Sequence, residues 1–260
     1  MWKEASPFAL AVALAAAPLP AGSANVLRTC LVADNPPFSS MAGERHGIDH
    51  DVMVELAARL HRTLEAHWVT IPNRGGMGKA LRQAFGSGEC EIFAGVPLAE
   101  GRNEDLQEQG LASSQPYLST GYGLVAARGS AVRTLADARV AKRVGAVSAT
   151  PADVYLFEQR MPRRPYGSNE ALLAALAADE VDAALVWLPA LARVRDGGRA
   201  LWPGALRPSE VKDARLRADF VAALAPASTL TSATLDQVLE AMRRDGAIAA
   251  IAAGYGLPTP

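Results

Sequence analysis

The sequence predicts an α/β protein in two lobes, each a parallel-dominated sheet flanked by helices. Three observations predict it. Short apolar runs alternate with helical stripes from Val26 to Ala94. The last of these runs stops at Gly95 and Pro97, and the chain resumes at Tyr117–Ala127 as a strand that reads as a crossing out of the first sheet. Strand and helix patterns then restart near Arg143, and Phe220–Leu224 reads as the return crossing. Lobe 1 is therefore expected to hold residues 25–118 with 221–260, and lobe 2 residues 119–220.

The elements follow in order. Lys3, an apolar run from Phe8 to Ala17, Pro18, Pro20 and then Gly22-Ser23-Ala24 read as a signal peptide over residues 1–24, cleaved after Ala24. The run is too short for a membrane span, so an exported, soluble mature chain is expected. Val26–Ala33 reads as a strand, ended by Asp34-Asn35-Pro36-Pro37-Phe38 because proline cannot continue a ladder. Val52, Leu56, Leu60 and Leu64 recur every four positions and make one stripe on a helix that Asp49 would cap. Ala66–Ile71 reads as a strand, Met77–Phe85 as a short helix and Ile92–Ala94 as a third strand, a β-α-β-α-β order with right-handed crossovers. In the second half, Arg143–Val147 and Asp182–Trp187 read as strands. Between them Thr150-Pro151 opens one helix, to about Gln159, and Ser168 caps another. Ser232 is expected to cap a helix carrying Leu235, Val238, Leu239 and Met242, with a terminal helix reaching Ala253.

Composition excludes some functions. A chain of 260 residues, 50% hydrophobic and 20% charged, can bury a sizeable core. Its net charge of −1 gives no field that would gather nucleic acid or anionic lipid. Cys30 and Cys90 each stand at the start of an apolar run, so neighbouring parallel strands would bring the sulfurs to the same end of a sheet. An exported chain would join them; two buried thiols are the alternative.

No set of residues makes a convincing catalytic site. Gly75-Gly76-Met77-Gly78-Lys79 lacks the first glycine and the hydroxyl residue of a phosphate loop. No serine has a nucleophile-elbow setting, and neither cysteine has a histidine nearby in sequence. His46 and His50 have a spacing that suits a metal on a helix, but Gly47 between them favours a solvated loop, so no metal site and no cofactor are expected. Recognition chemistry accumulates instead at strand ends. Asn35 and Phe38 follow the first strand, Arg74 the second, and Pro97 and Arg102 the third. Tyr117 opens the crossing, Ser148 and Thr150 precede a helix N-terminus, and Trp187 ends the last strand. Facing one cleft, these would supply an aromatic wall, two cations and a helix-end anion site.

The chain resembles the family 3 extracellular solute-binding proteins, the two-lobed type II periplasmic receptors of ABC importers. The resemblance lies in Asn35-Pro36-Pro37-Phe38, Gly47, Gly95, Gln115-Pro116-Tyr117, Val181-Asp182-Ala183-Ala184 and Asp245-Gly246. It implies that Arg102, seven residues after Gly95, holds a ligand carboxylate. The position of the acid that binds a ligand ammonium falls on Trp187, and the hydroxyl residues that accompany the arginine are Pro97 and Ala99 here.

A narrower resemblance is to the J-type periplasmic proteins encoded with PQQ-dependent methanol dehydrogenases. It is carried by Cys30 with the Asn-Pro-Pro-Phe-Ser loop, Trp68 with Pro72-Asn73-Arg74-Gly75, Cys90-Glu91, Val186-Trp187-Leu188-Pro189 and Tyr255-Gly256-Leu257-Pro258. Gly76-Met77 and Leu188 depart from that pattern. The likeness implies a Cys30–Cys90 disulfide and a non-catalytic binding protein whose partner is a quinoprotein dehydrogenase. The alternative partner is the permease of an ABC importer for a small anionic or aromatic solute.

Overall fold

The structure, a computed structural model, describes residues 25–193, 195–196, 199–200, 209–211 and 213–257. The expected signal peptide and its cleavage site lie outside these residues. The first half holds β1 (Val26–Val32), β2 (Asp34–Asn35), β3 (Ser39–Ser40), α1 (Ile48–Arg59), β4 (Thr63–Val69), α2 (Gly76–Gly86), β5 (Ile92–Leu98) and α3 (Glu104–Glu108). β6 (Leu118–Ala126) leads to α4 (Leu135–Val140), β7 (Val144–Val147), α5 (Pro151–Glu158), β8 (Arg163–Tyr166), α6 (Asn169–Ala177) and β9 (Ala183–Trp187). Then come α7 (Leu188–Arg193), β10 (Arg195–Asp196), β11 (Arg199–Ala200) and β12 (Ser209–Glu210). A 3₁₀ turn at Ala214–Leu216 precedes β13 (Arg217–Leu224), α8 (Ser232–Arg244) and α9 (Ala247–Gly254).

The main sheet runs β4-β1-β5-β13-β6-β9-β7-β8, with β12 also on β6. Its pairs are parallel at β4–β1–β5 and at β9–β7–β8, and antiparallel where β13 and β6 cross. β6 changes partner along its length: Leu118–Gly121 pairs with β13, and Tyr122–Ala126 pairs with β9. The two expected sheets are thus joined through one crossing strand instead of standing apart.

Strand alternation divides the core. In the first half, Leu27, Leu31, Ile92 and Ala94 pack with α1, α8 and α9 through Val52, Leu56, Leu235, Met242 and Ile248. The other face places Cys30, Val32 and Phe93 against Ala80, Leu81 and Leu106 of α2 and α3. Beyond the crossing, Leu124, Val144, Ala146 and Leu185 form one cluster with α5, while Val125, Ala184 and Val186 form another with α6. Period-2 side-chain direction on strands covered on both sides produces these paired clusters. Cys30 and Cys90 form a disulfide, with Cα atoms 5.6 Å apart, inside the second of them.

Several local expectations need correction. Asp49 does not cap α1; the N-cap is Gly47, and Asp49 is buried in the first turn. The helix ends at Arg59, so Leu64 belongs to β4, whose own alternation also turns it inward. The cap of α8 is Thr231, which accepts from the Thr234 amide at 3.1 Å, not Ser232.

Candidate functional site

Two crossings and the ends of four strands border a cleft of about 830 Å³. One wall is the turn after β5. Glu100 and Gly101 both have positive φ, 49° and 74°, and Ala99 and Arg102 exchange backbone hydrogen bonds at 2.9 and 3.0 Å across them. A tight turn of this mirror-image kind takes glycine readily at its second central position. Asn103 braces it, donating to the Pro97 carbonyl at 2.8 Å and accepting from the Leu106 amide to cap α3. Arg102 is therefore an exposed side chain on a fixed backbone, with Pro97, Leu98, Glu100, Glu104 and Asp105 around it on the cleft wall.

The opposite wall comes from the second half. Tyr122 and Trp187 are direct neighbours across the β6–β9 ladder, with ring centroids 5.1 Å apart. Thr150 caps α5, and Pro151 stands at its first turn; both line the cleft, as does Asn169 at the start of α6. Asn169 Oδ1 is buried without a hydrogen-bond partner. Two helix N-termini thus border the cleft, an arrangement that favours a negatively charged ligand group. Burial pushes the Tyr122 phenol above its usual range, against the pull of the neighbouring Thr150 hydroxyl.

The floor is the return crossing. Arg215 and Arg217 line it, but Arg215 is already held by Asp213 at 2.7 Å and Glu158 at 3.4 Å. The cleft carries Arg102, Arg215 and Arg217 against Glu100, Glu104 and Asp105, so its field is mixed rather than cationic.

The sequence-predicted site residues separate into groups. Pro97, Arg102, Thr150 and Trp187 meet on the larger cleft. Asn35 lines a second cavity of about 410 Å³ at the ends of β1 and β4, with Pro97 on its wall too. Phe38 is buried, its ring 4.5 Å from Phe220 and 6.4 Å from Trp187, so it backs the tryptophan. Tyr117 is buried and its hydroxyl donates to Asp49 at 2.6 Å, which removes it from the cleft surface. Arg74 and Ser148 are exposed and line neither cavity; the Ser148 amide donates to the Tyr166 carbonyl at 2.8 Å. Tyr122, Asn169 and Arg217 were missed. A signal for Tyr122 existed, since an aromatic inside a crossing strand needs a partner; the other two are brought in only by the tertiary fold.

Among the described residues no helix is long and apolar enough to cross a membrane, and no three or more His, Cys, Asp or Glu gather as a metal set.

Solved structures share this architecture. The unliganded, open L-cystine solute receptor of Neisseria gonorrhoeae matches with TM-score 0.70 at 15% identity, over 89% of this chain and 93% of that one. MxaJ from Methlophaga aminisulfidivorans MPT matches with TM-score 0.60 at 17% identity, over 89% and 99%. The GluR0 ligand-binding core in complex with L-glutamate matches with TM-score 0.58 at 23% identity, over 91% and 100%. At these identities the likeness concerns the fold, a two-lobed type II periplasmic binding architecture. No curated protein matches the sequence significantly. A sequence model of one family spans residues 27–258, from the first strand past the last helix, and with it the protein belongs to the bacterial extracellular solute-binding proteins, family 3.

Proposed function

We propose that the chain is a non-catalytic periplasmic binding protein of the branch associated with PQQ-dependent alcohol or methanol dehydrogenases. The observation that carries this reading is the setting of Trp187. By resemblance it stands where amino-acid receptors place the acid for the ligand ammonium. Its ring packs on Tyr122 and lies 6.4 Å from Phe38, filling that place with aromatic surface. Arg102, the Thr150 cap and the apolar wall of Pro97 and Leu98 suit an aromatic or aliphatic body with an anionic end. The resemblance to the J-type proteins and the match over nearly all of MxaJ support the dehydrogenase association. We assign lobe 1 to residues 25–118 with 221–260 and lobe 2 to 119–220; the hydrophobic clusters divide close to these limits.

The second reading is the receptor of an ABC importer, favoured by the likeness to the cystine receptor. Mixing the mature protein with the purified quinoprotein dehydrogenase of the same source separates the two in analytical ultracentrifugation. A complex at micromolar concentration is expected. No complex, together with saturable binding of an amino acid, would overturn the first reading in favour of the second.

A further inference from the structure

We propose that His46 and His50 form a surface site for a late first-row divalent cation, Cu²⁺ above all, outside both cavities. Gly47 between them argued for a loop, and His46 does lie in one; His50, however, is in the first turn of α1, and the two rings meet with centroids 4.9 Å apart. Two imidazoles bound through Nε2 at about 2.0–2.1 Å to one ion, at about 90–110° to each other, have centroids about 4.5–5.2 Å apart. The observed separation falls inside that range.

Each ring is already held through its other nitrogen. His46 Nδ1 is 3.0 Å from the Ser40 carbonyl, and His50 Nδ1 is 3.0 Å from Asp51 Oδ1. A carbonyl and a carboxylate only accept, so each Nδ1 is the donor, and the tautomer this selects has its lone pair on Nε2. A carboxylate behind a histidine fixes its tautomer and raises its basicity toward a metal. Asp51 is itself fixed, accepting from the Tyr255 hydroxyl at 2.7 Å, while that hydroxyl accepts from the Gly47 amide at 3.0 Å. Arg45 lies 3.8 Å over the Tyr255 ring and donates to the Gly254 carbonyl, which holds the loop to the C-terminal end of the chain. His50 keeps 19% of its side-chain surface exposed.

Two nitrogens do not saturate an ion, and water or a small anion completes the set. Nitrogen donors without thiolate favour Cu²⁺ over Ni²⁺ and Zn²⁺. Trp68 lies 5.5 Å from His46 and 6.1 Å from His50, near enough for a bound paramagnetic ion to quench it.

The test uses mature protein without a polyhistidine tag, titrated with Cu²⁺. One equivalent is expected to bind with micromolar affinity and to quench tryptophan emission, and Trp68→Phe should remove that quench with the affinity kept. His46→Gln and His50→Gln should each weaken binding at least about tenfold, and Asp51→Asn, a positioning residue, by about tenfold. Electron paramagnetic resonance of the loaded wild type should show coupling to two imidazole nitrogens, independently of any variant. Absent saturation, unchanged affinity in both histidine variants, or no imidazole coupling would overturn the proposal. None of these readouts depends on what the cleft binds.

Discussion

The Tyr117 hydroxyl donates to the Asp49 carboxyl at 2.6 Å, tying the start of the crossing strand β6 to the first turn of α1. Both side chains are enclosed, and the backbone of Gly95 also hydrogen-bonds the phenol oxygen. Burial, offset in part by the Tyr117 hydrogen bond, raises the Asp49 pKa from 3.8 to about 7. The folded protein therefore keeps a proton that the unfolded chain releases.

Stability should fall as pH rises from about 4 to about 7, by up to about 1.4 kcal/mol per pH unit, and then level off. Asp182, Asp213 and Asp245 have depressed pKa values, so their contribution is lost in the opposite direction, as pH falls below about 4. Urea unfolding at pH 5 and pH 8 reads the difference, and Asp49→Asn should flatten it. An equal slope in the variant would assign the effect to other groups.

Gly95 and Gly121 are constrained by contact. A Cβ on Gly95, whose φ is +79°, would overlap Asp49 Oδ2, and one on Gly121 would overlap the Leu216 carbonyl where β6 and β13 run side by side. Gly129 has φ +77° with open space around it. Alanine at Gly129 should cost about 1 kcal/mol from backbone conformation alone, whereas alanine at Gly95 or Gly121 should cost about 2–4 kcal/mol. Equal losses at Gly95 and Gly129 would show that the Asp49 contact is relieved cheaply.

The Cys30–Cys90 bridge closes a separation of 60 residues between two buried positions. The loop-entropy model gives about 4 kcal/mol for such a closure. Unreduced protein should take up no alkylating reagent when unfolded, and the double Cys→Ser variant should unfold with a correspondingly lower urea midpoint. Two alkylated cysteines in the unreduced protein would contradict the bridge.

Legibility in the sequence followed burial. β1, β5 and β9 were readable because strands covered on both faces are continuous apolar runs. β8, Arg163–Tyr166, was not, because an edge strand tolerates the exposed arginines and the proline that make it look like a loop. α3 and α4 span 5 and 6 residues, too short to show a helical period. In the cleft, Arg102, Thr150 and Trp187 were marked by their places at strand ends, where the α/β rule puts ligand contacts. Tyr117 and Phe38 occupy equally marked places yet point into the core, and only their neighbours Asp49 and Phe220 decide that. Arg217 escaped because β13 begins three residues before its apolar run.

The ligand prediction turns on which acids an ammonium could reach. Trp187 offers it aromatic surface backed by Tyr122 and Phe38, with no carboxylate in that place. The acids on the cleft wall, Glu100, Glu104 and Asp105, sit on the Arg102 side, and the first two are exposed. Hydrated rim pairs contribute about 1 kcal/mol or less, whereas a desolvated ammonium without an acceptor costs several kcal/mol. Calorimetry with common L-amino acids at millimolar concentration should therefore give no saturable binding, because a contact of Arg102 with the carboxylate would not offset that loss. 3-Phenylpropanoate, which keeps the body and the carboxylate of phenylalanine but lacks the ammonium, should bind more tightly than phenylalanine itself. Micromolar binding of an unmodified amino acid, lost in Glu100→Gln or Asp105→Asn, would show that the Arg102 turn supplies the missing acceptor. It would also move the import-receptor reading ahead of the dehydrogenase-associated one.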